Sequence, residues 1–250
     1  MGKALRDGFR AAYDALGFVV GASFATLVVG ALVLVAMGLL SAHVKQVRAA
    51  GMLLGLPALP AVWLCAVGIF YYAKKAVCHE HPALGDTWEG IRKLFGPAIA
   101  LFVVDGIASA VLVGDVVFFT LAFRAKGGVA FAAFGMVCAY IGLMWLMMSL
   151  YHLPLLVAQL EMESGPRVGV ILRKSFLLAA DNPGFTVGLF AVIIAFAVIC
   201  ALPAMLGIAL VFPGLAAFLL TSSLRELFVE YGVIEEEPEV VEDKPWRLRD

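Results

Sequence analysis

Apolar residues fall in long unbroken runs separated by short polar stretches. Six runs stand out, at 17–40, 52–73, 96–123, 128–160, 184–202 and 206–224. None alternates with a period of two, as the strands of a membrane barrel would. A helix rising about 1.5 Å per residue crosses about 30 Å of hydrocarbon in about 20 apolar residues. The pattern therefore predicts an all-α, polytopic membrane protein with six transmembrane helices. The fourth run is longer than a crossing needs. It is expected to tilt, or to emerge near Tyr151-His152-Leu153-Pro154. Only Pro203-Ala204-Met205 separates the last two runs, which predicts a tight helical hairpin.

The polar stretches carry a recurring pentapeptide: LRDGF at 5–9, IRKLF at 91–95, LRKSF at 172–176 and LRELF at 224–228. In a helix the first and fifth positions share a face, so the aliphatic residue and Phe point together. The Arg beside them can reach lipid phosphates while its stem stays in the interface. Neighbours extend the stripe: Leu5, Phe9, Tyr13 and Leu16; Leu84, Trp88, Ile91 and Phe95; Val168, Leu172 and Phe176. These stretches predict interfacial amphipathic helices anchored by Arg6, Phe9, Trp88, Arg92, Phe95, Arg173, Phe176, Arg225 and Phe228. Three copies precede spans one, three and five, and the fourth follows span six. That order suggests three parallel units, each an amphipathic helix followed by a two-span hairpin. A plainer reading is that any helix entering a membrane favours Arg and aromatic residues at its edge.

Charge sets the sidedness. Of the 18 Lys and Arg residues, only Lys45, Arg48, Arg124 and Lys126 fall on the side opposite the N-terminus. Positive-inside bias then predicts that both termini are cytoplasmic. Lys3, Arg6 and Arg10 resemble the basic start of a signal peptide. The apolar run that follows, 17–40, is too long for one and has no A-x-A site, so an uncleaved helix is expected.

The chain is 63% hydrophobic and only 15% charged, where soluble domains carry about 25% charged residues. No stretch is long and polar enough for a soluble domain. One transmembrane domain over 1–232 is expected, followed by a disordered charged tail over 233–250. With a net charge of −1 and no basic aromatic patch, nucleic acid is not an expected partner, whereas the lipid bilayer is. No H-E-x-x-H, G-x-S-x-G, Walker A or G-x-G-x-x-G motif occurs. The expectation is therefore a protein that is not an enzyme and has no cofactor. Cys65, Cys78, Cys138 and Cys200 lack C-x-x-C spacing and read as reduced packing residues.

The segment LPALPAVWLCAVGIFYYAKKAVCHEHPALGDTWEGIRKLF joins a proline-bearing span, an aromatic-Ala-Lys-Lys run, a polar turn and an amphipathic helix ending in Phe. It resembles the YesL-like family of bacterial integral membrane proteins. FRAAYDALGFVVG and LRKSFLLAADNPGFTVGLF fit the same layout, so the resemblance covers about residues 5–225. It implies a bacterial inner-membrane protein with an accessory role in carbohydrate uptake, working beside subunits of a membrane transport complex. It implies no functional residues. The smaller Ala/Val/Gly-rich spans and the acidic tail depart from the family's pattern.

Asp105 and Asp115 are the only charged residues inside the six runs. Carboxylates in hydrocarbon are costly and usually face a bundle interior or water. Asp105 is expected near mid-membrane and Asp115 near the outer edge, about 80° apart around the helix. The functional reading is a proton or cation site with a small transporter or channel built around Asp105. The plain reading is a neutral Asp105 bonded to a neighbouring helix. His152 either titrates or anchors at the headgroups beside Tyr151. An embedded enzyme would require a polar cluster brought together from distant residues, such as Asp105 with His152. CHEH at 78–81 reads as a solvated loop rather than a metal site, because consecutive residues do not converge on one ion. Three G-x-x-x-G pairs, Gly17/Gly21, Gly51/Gly55 and Gly184/Gly188, suggest close packing. Together these features predict a non-catalytic membrane accessory or scaffold, with the Asp105 transporter as the alternative.

Overall fold

The structure is a computed structural model, and it describes residues 1–43, 58–78, 80, 82–161, 165–202, 207 and 210–234. Residues 44–57, the Pro203-Ala204-Met205 hairpin and all but the first two residues of the predicted tail lie outside the described residues. Eight α-helices are present among those described: α1 Gly2–Asp14, α2 Leu16–His43, α3 Ala58–Val77, α4 Leu84–Lys126, α5 Val129–Ala158, α6 Val168–Asp181, α7 Pro183–Ala201 and α8 Phe212–Glu230. No strand occurs among them. Four helices (α4, α5, α7 and α8) are long and apolar enough to cross a membrane, or five if α1 and α2 together count as one. The fold is thus all-α and multi-pass. The six-span count rests in part on residues outside the described set.

The helices meet in a packed base at one end. There α8 lies against α1, α2, α3 and α5. It buries a continuous stretch, Ala217 to Leu224, with Leu227 beyond. Most of its apolar window is covered by protein, whereas almost none is in α4, α5 or α7. α1 joins α2 at Ala15 through an 82° bend, so the first amphipathic stretch is indeed a separate helix. It docks on α8 by small residues, Ala4, Gly8 and Ala12. A Cβ on Gly8 would stand 3.2 Å from Leu219 Cδ2 and Ser222 Cβ. Ser222 Oγ donates to the Ala4 carbonyl at 2.8 Å. The Ala4 N–H donates to Glu226 at 3.0 Å. Tyr13, on another side of α1, and Leu16, at the start of α2, remain exposed.

The α3–α4 crossing is equally close. Gly68 faces Thr87 and Gly90 faces Tyr71, with no room for a Cβ at either. Trp63 donates its indole N–H to the Ala98 carbonyl at 3.0 Å. At the turn between them Asp86, in the first turn of α4, accepts the Ala83 N–H at 2.7 Å and Lys75 Nζ at 2.9 Å. The first anchors the start of the helix as an N-terminal carboxylate should.

These bonds hold the Asp86 carboxyl below its ordinary range, Lys75 first and the Ala83 amide second, and raise Lys75. Asp86 then stabilises the fold above the unfolded carboxylate range, and this is lost as pH falls through its lowered folded value. Lys75 contributes fully below the ordinary lysine range and loses that only in strong alkali. Asp86→Ala is therefore expected to lower the melting temperature in detergent at pH 7, by an amount that shrinks as both proteins are acidified through and below the ordinary carboxylate range. A deficit independent of pH would mean the carboxylate contributes through packing alone.

Beyond the base, α4 and α5 form a long hairpin closed by Gly127 and Gly128. Gly127 adopts a left-handed conformation (φ 67°) that a side chain would strain. The α4 stretch beyond Leu101 and α5 before Met148 leave large side chains exposed, among them Ile107, Phe118, Met136 and Tyr140. Near the tip the two helices hold each other through stacked Phe119 and Phe134, 5.7 Å apart.

Two expectations require correction. The stretch 84–95 is not a separate interfacial helix: α4 runs without a break from Leu84 through Pro97 to Lys126. Pro97 removes one backbone bond, a loss that a long helix packed against neighbours tolerates. The last helix starts at Phe212, with Pro213 in its first turn, and continues to Glu230. LRELF therefore lies inside it rather than after a span. The helix α5 passes through Pro154 and ends in a short 3₁₀ turn, Gln159–Glu161.

Candidate functional site

The α4–α5 hairpin brings Asp105 and His152 together. The imidazole Nδ1 lies 3.1 Å from Asp105 Oδ2, with which it shares a hydrogen bond, and 3.0 Å from Oδ1. His152 is fully buried, and the Asp105 side chain is 14% exposed. Trp145, two helical turns before His152 and so on the same face of α5, sets its indole edge-on to the imidazole at 5.6 Å. Three polar atoms of this cluster, Asp105 Oδ1, His152 Nε2 and Trp145 Nε1, are buried without a hydrogen-bond partner.

The neighbouring groups fix this register. The Thr186 hydroxyl donates to the Asn182 carbonyl at 2.9 Å, so Tyr151, 2.9 Å away, must donate to Thr186. That bond ties α5 to α7 immediately before His152. Lys93, near the start of α4, is exposed. At the helical rise per residue, Asp105 lies about 18 Å beyond it. Glu161, at the end of α5, pairs with Lys74. His152 precedes that residue by about 14 Å on the same rise. From both helices the pair is roughly half a bilayer thickness away from the charged end of the bundle.

Asp115 stays apart. It is half-buried, with no polar partner among the described residues. The helical rise sets it about 15 Å beyond Asp105 along α4. His79 and His81 lie outside the described residues. Among those described, no three His, Cys, Asp or Glu side chains gather as metal ligands.

The anchor residues divide. On α4 a buried stripe of Gly90, Leu94, Ala98 and Leu101 faces α3, while Leu84, Trp88 and Phe95 are exposed on the other side with Arg92. On α6 the buried face is Ile171, Ser175, Leu178 and Ala179, and Phe176 and Arg173 point outward. Arg6 is exposed too, while Phe9 packs beside Phe196 at 5.1 Å. The fourth copy is different. Arg225 donates to the Val77 carbonyl at 2.9 Å, closing the end of α3, and Phe228 packs against the core. Both hold the bundle together instead of anchoring its surface.

Sequence reasoning did not single out Trp145, Tyr151–Thr186, or the crossing glycines Gly68, Gly90 and Gly214. Of the predicted G-x-x-x-G pairs, Gly188 is closely packed, a Cβ there lying 2.7 Å from Met1 Cε and 2.8 Å from Met1 Sδ, whereas a Cβ would meet nothing at Gly17, Gly21 or Gly184, and Gly51 and Gly55 lie outside the described residues. The Asp105–His152 contact has a legible signal. A tight turn at 127–128 reflects position 105 onto about 150. In comparisons with known proteins, no family model, curated protein or solved structure matches the chain.

Proposed function

We propose that the protein is a non-catalytic accessory or scaffold of the bacterial inner membrane, with both termini cytoplasmic. In this reading it presents its basic, aromatic helix faces to subunits of a membrane transport complex, in keeping with the YesL-like resemblance and a role in carbohydrate uptake. One observation carries the reading. The side of α4 opposite its buried stripe sets Leu84, Trp88, Arg92 and Phe95 outward on a helix locked rigidly to α3. An aromatic–arginine patch on a rigid element is what a docking surface needs. A photoreactive residue in place of Trp88 or Phe95, activated in native membranes, is expected to capture the same transport-complex subunit repeatedly. Capture of lipid alone would reject the scaffold.

A second reading is favoured by the Asp105–His152 bond. A small transporter or channel would use this pair as its ion site, because ionisable groups that meet between spans commonly lie on ion pathways. Ion-coupled uptake that persists in Asp105→Asn would reject it.

A further inference from the structure

We propose that Asp105, His152 and Trp145 form a binding site for a single proton, held jointly by the carboxylate and the imidazole. The inference rests on the second reading above, and it names that site's ligand.

The charge argument comes first. With His152 neutral and donating Nδ1–H to Asp105, the pair carries one net negative charge. Taking one proton from water at Nε2 gives carboxylate and imidazolium, and the pair becomes neutral. Moving the shared proton onto Asp105 yields neutral acid and neutral imidazole, with the same proton count. Where net charge is expensive, the neutral pair is strongly favoured over the anionic one. The two groups therefore take up and release one proton as a unit.

The unpartnered atoms point the same way. Buried polar groups in a purely structural cluster are normally satisfied. Here the fully buried His152 has one nitrogen committed to Asp105 and the other without a hydrogen-bond partner among the described residues. That free Nε2 is where a proton arrives or leaves. Trp145 lies against the same ring, with the two ring centroids 5.6 Å apart.

A metal ion fits poorly. One imidazole and one carboxylate fall short of the four ligands of zinc or the six or more oxygens of calcium, and no third ligand gathers among the described residues. Other titratable groups come from the elements packed on the hairpin: Asp115 on α4 itself, Tyr151 on α5, Cys65 and Tyr72 on α3, Arg173 on α6, Cys200 on α7 and Glu226 on α8. Tyr151 is engaged with Thr186, Tyr72 is stacked on Phe18, and Glu226 takes the Ala4 amide. Asp105 and His152 are thus each other's hydrogen-bond partner.

The test makes Trp145 the only tryptophan, through Trp63→Phe, Trp88→Phe and Trp246→Phe, and follows its fluorescence against pH in detergent. A one-proton transition is expected, since an imidazolium quenches an adjacent indole. It should vanish in Asp105→Asn and in His152→Gln, each confirmed by size exclusion and helicity to fold as the parent does. If Asp105→Asn fails to fold, His152→Gln alone decides. A transition that survives the substitutions, or none in the parent, overturns the proposal. A larger response to sodium or potassium at fixed pH overturns it in favour of a metal cation. Proton flux into sealed vesicles is measured separately. A transition without flux sinks the transport reading and leaves the proton site standing, whereas flux that survives Asp105→Asn and His152→Gln counts against both.

Discussion

Gly90→Leu is expected to leave no monodisperse, detergent-stable protein. A Cβ alone at this position would lie 2.5 Å from Tyr71 Cβ and Cγ and 2.8 Å from its Cδ1. Those are atoms at the root of a buried ring, which carries Lys75 Nζ over its face, 5.3 Å from the centroid. The ring has nowhere to swing, so α3 and α4 must separate. Separation also breaks the Trp63–Ala98 and Lys75–Asp86 bonds. Overpacking by ordinary insertions costs about 1–3 kcal/mol, and a leucine against a ring root belongs above that range. The same change at Gly114, further along α4, meets nothing within 4 Å. There the loss of a helical glycine should help slightly, by about 0.5–1 kcal/mol. Melting temperatures of the two variants in one detergent decide the matter. Equal stability of Gly90→Leu and Gly114→Leu would show that the α3–α4 contact does not hold the base.

The contrast between these two glycines shows what was readable beforehand. Hydrophobic runs located the long helices well, because a bilayer demands about 20 apolar residues whatever the neighbours are. They did not say which side of a helix meets protein. In lipid, both sides are apolar, and packing instead selects small residues that let backbones approach. On α1 the buried face is Ala4, Gly8 and Ala12, while Tyr13, and Leu16 just beyond the bend, remain outside. On α4 the Leu-Arg-x-x-Phe periodicity correctly grouped Trp88 with Phe95, but the group faces away from the core. LRELF misled for a related reason. Its Arg225 and Glu226 each close a backbone end, of α3 and of α1, and five letters carry no trace of those distant partners. Asp105 was legible as an anomaly, and its partner was legible once the Gly127–Gly128 turn fixed the hairpin register. Trp145 was not, since one tryptophan in an apolar span draws no notice until its neighbours are known.

His152→Leu is expected to destabilise the protein more than the double change Asp105→Leu with His152→Leu. Removing the imidazole leaves Asp105, only 14% exposed, without the polar partner it has among the described residues. Loss of one member of a buried pair costs about 3–5 kcal/mol, because the surviving charge has nothing to offset its desolvation. Replacing both groups removes the uncompensated charge, and apolar substitutes for buried pairs are commonly neutral or stabilising. The double variant should therefore regain most of the lost stability, while Asp105→Leu alone, which leaves only a neutral imidazole unpaired, should fall between. The measurement is a double-mutant cycle of unfolding midpoints in one detergent. Additive losses would mean that Asp105 and His152 do not feel each other, and would remove the basis for treating them as one titrating unit. A recovered double variant would be folded yet unable to take up the proton. It is therefore the protein with which to ask whether the pair serves the membrane bundle or a flux through it.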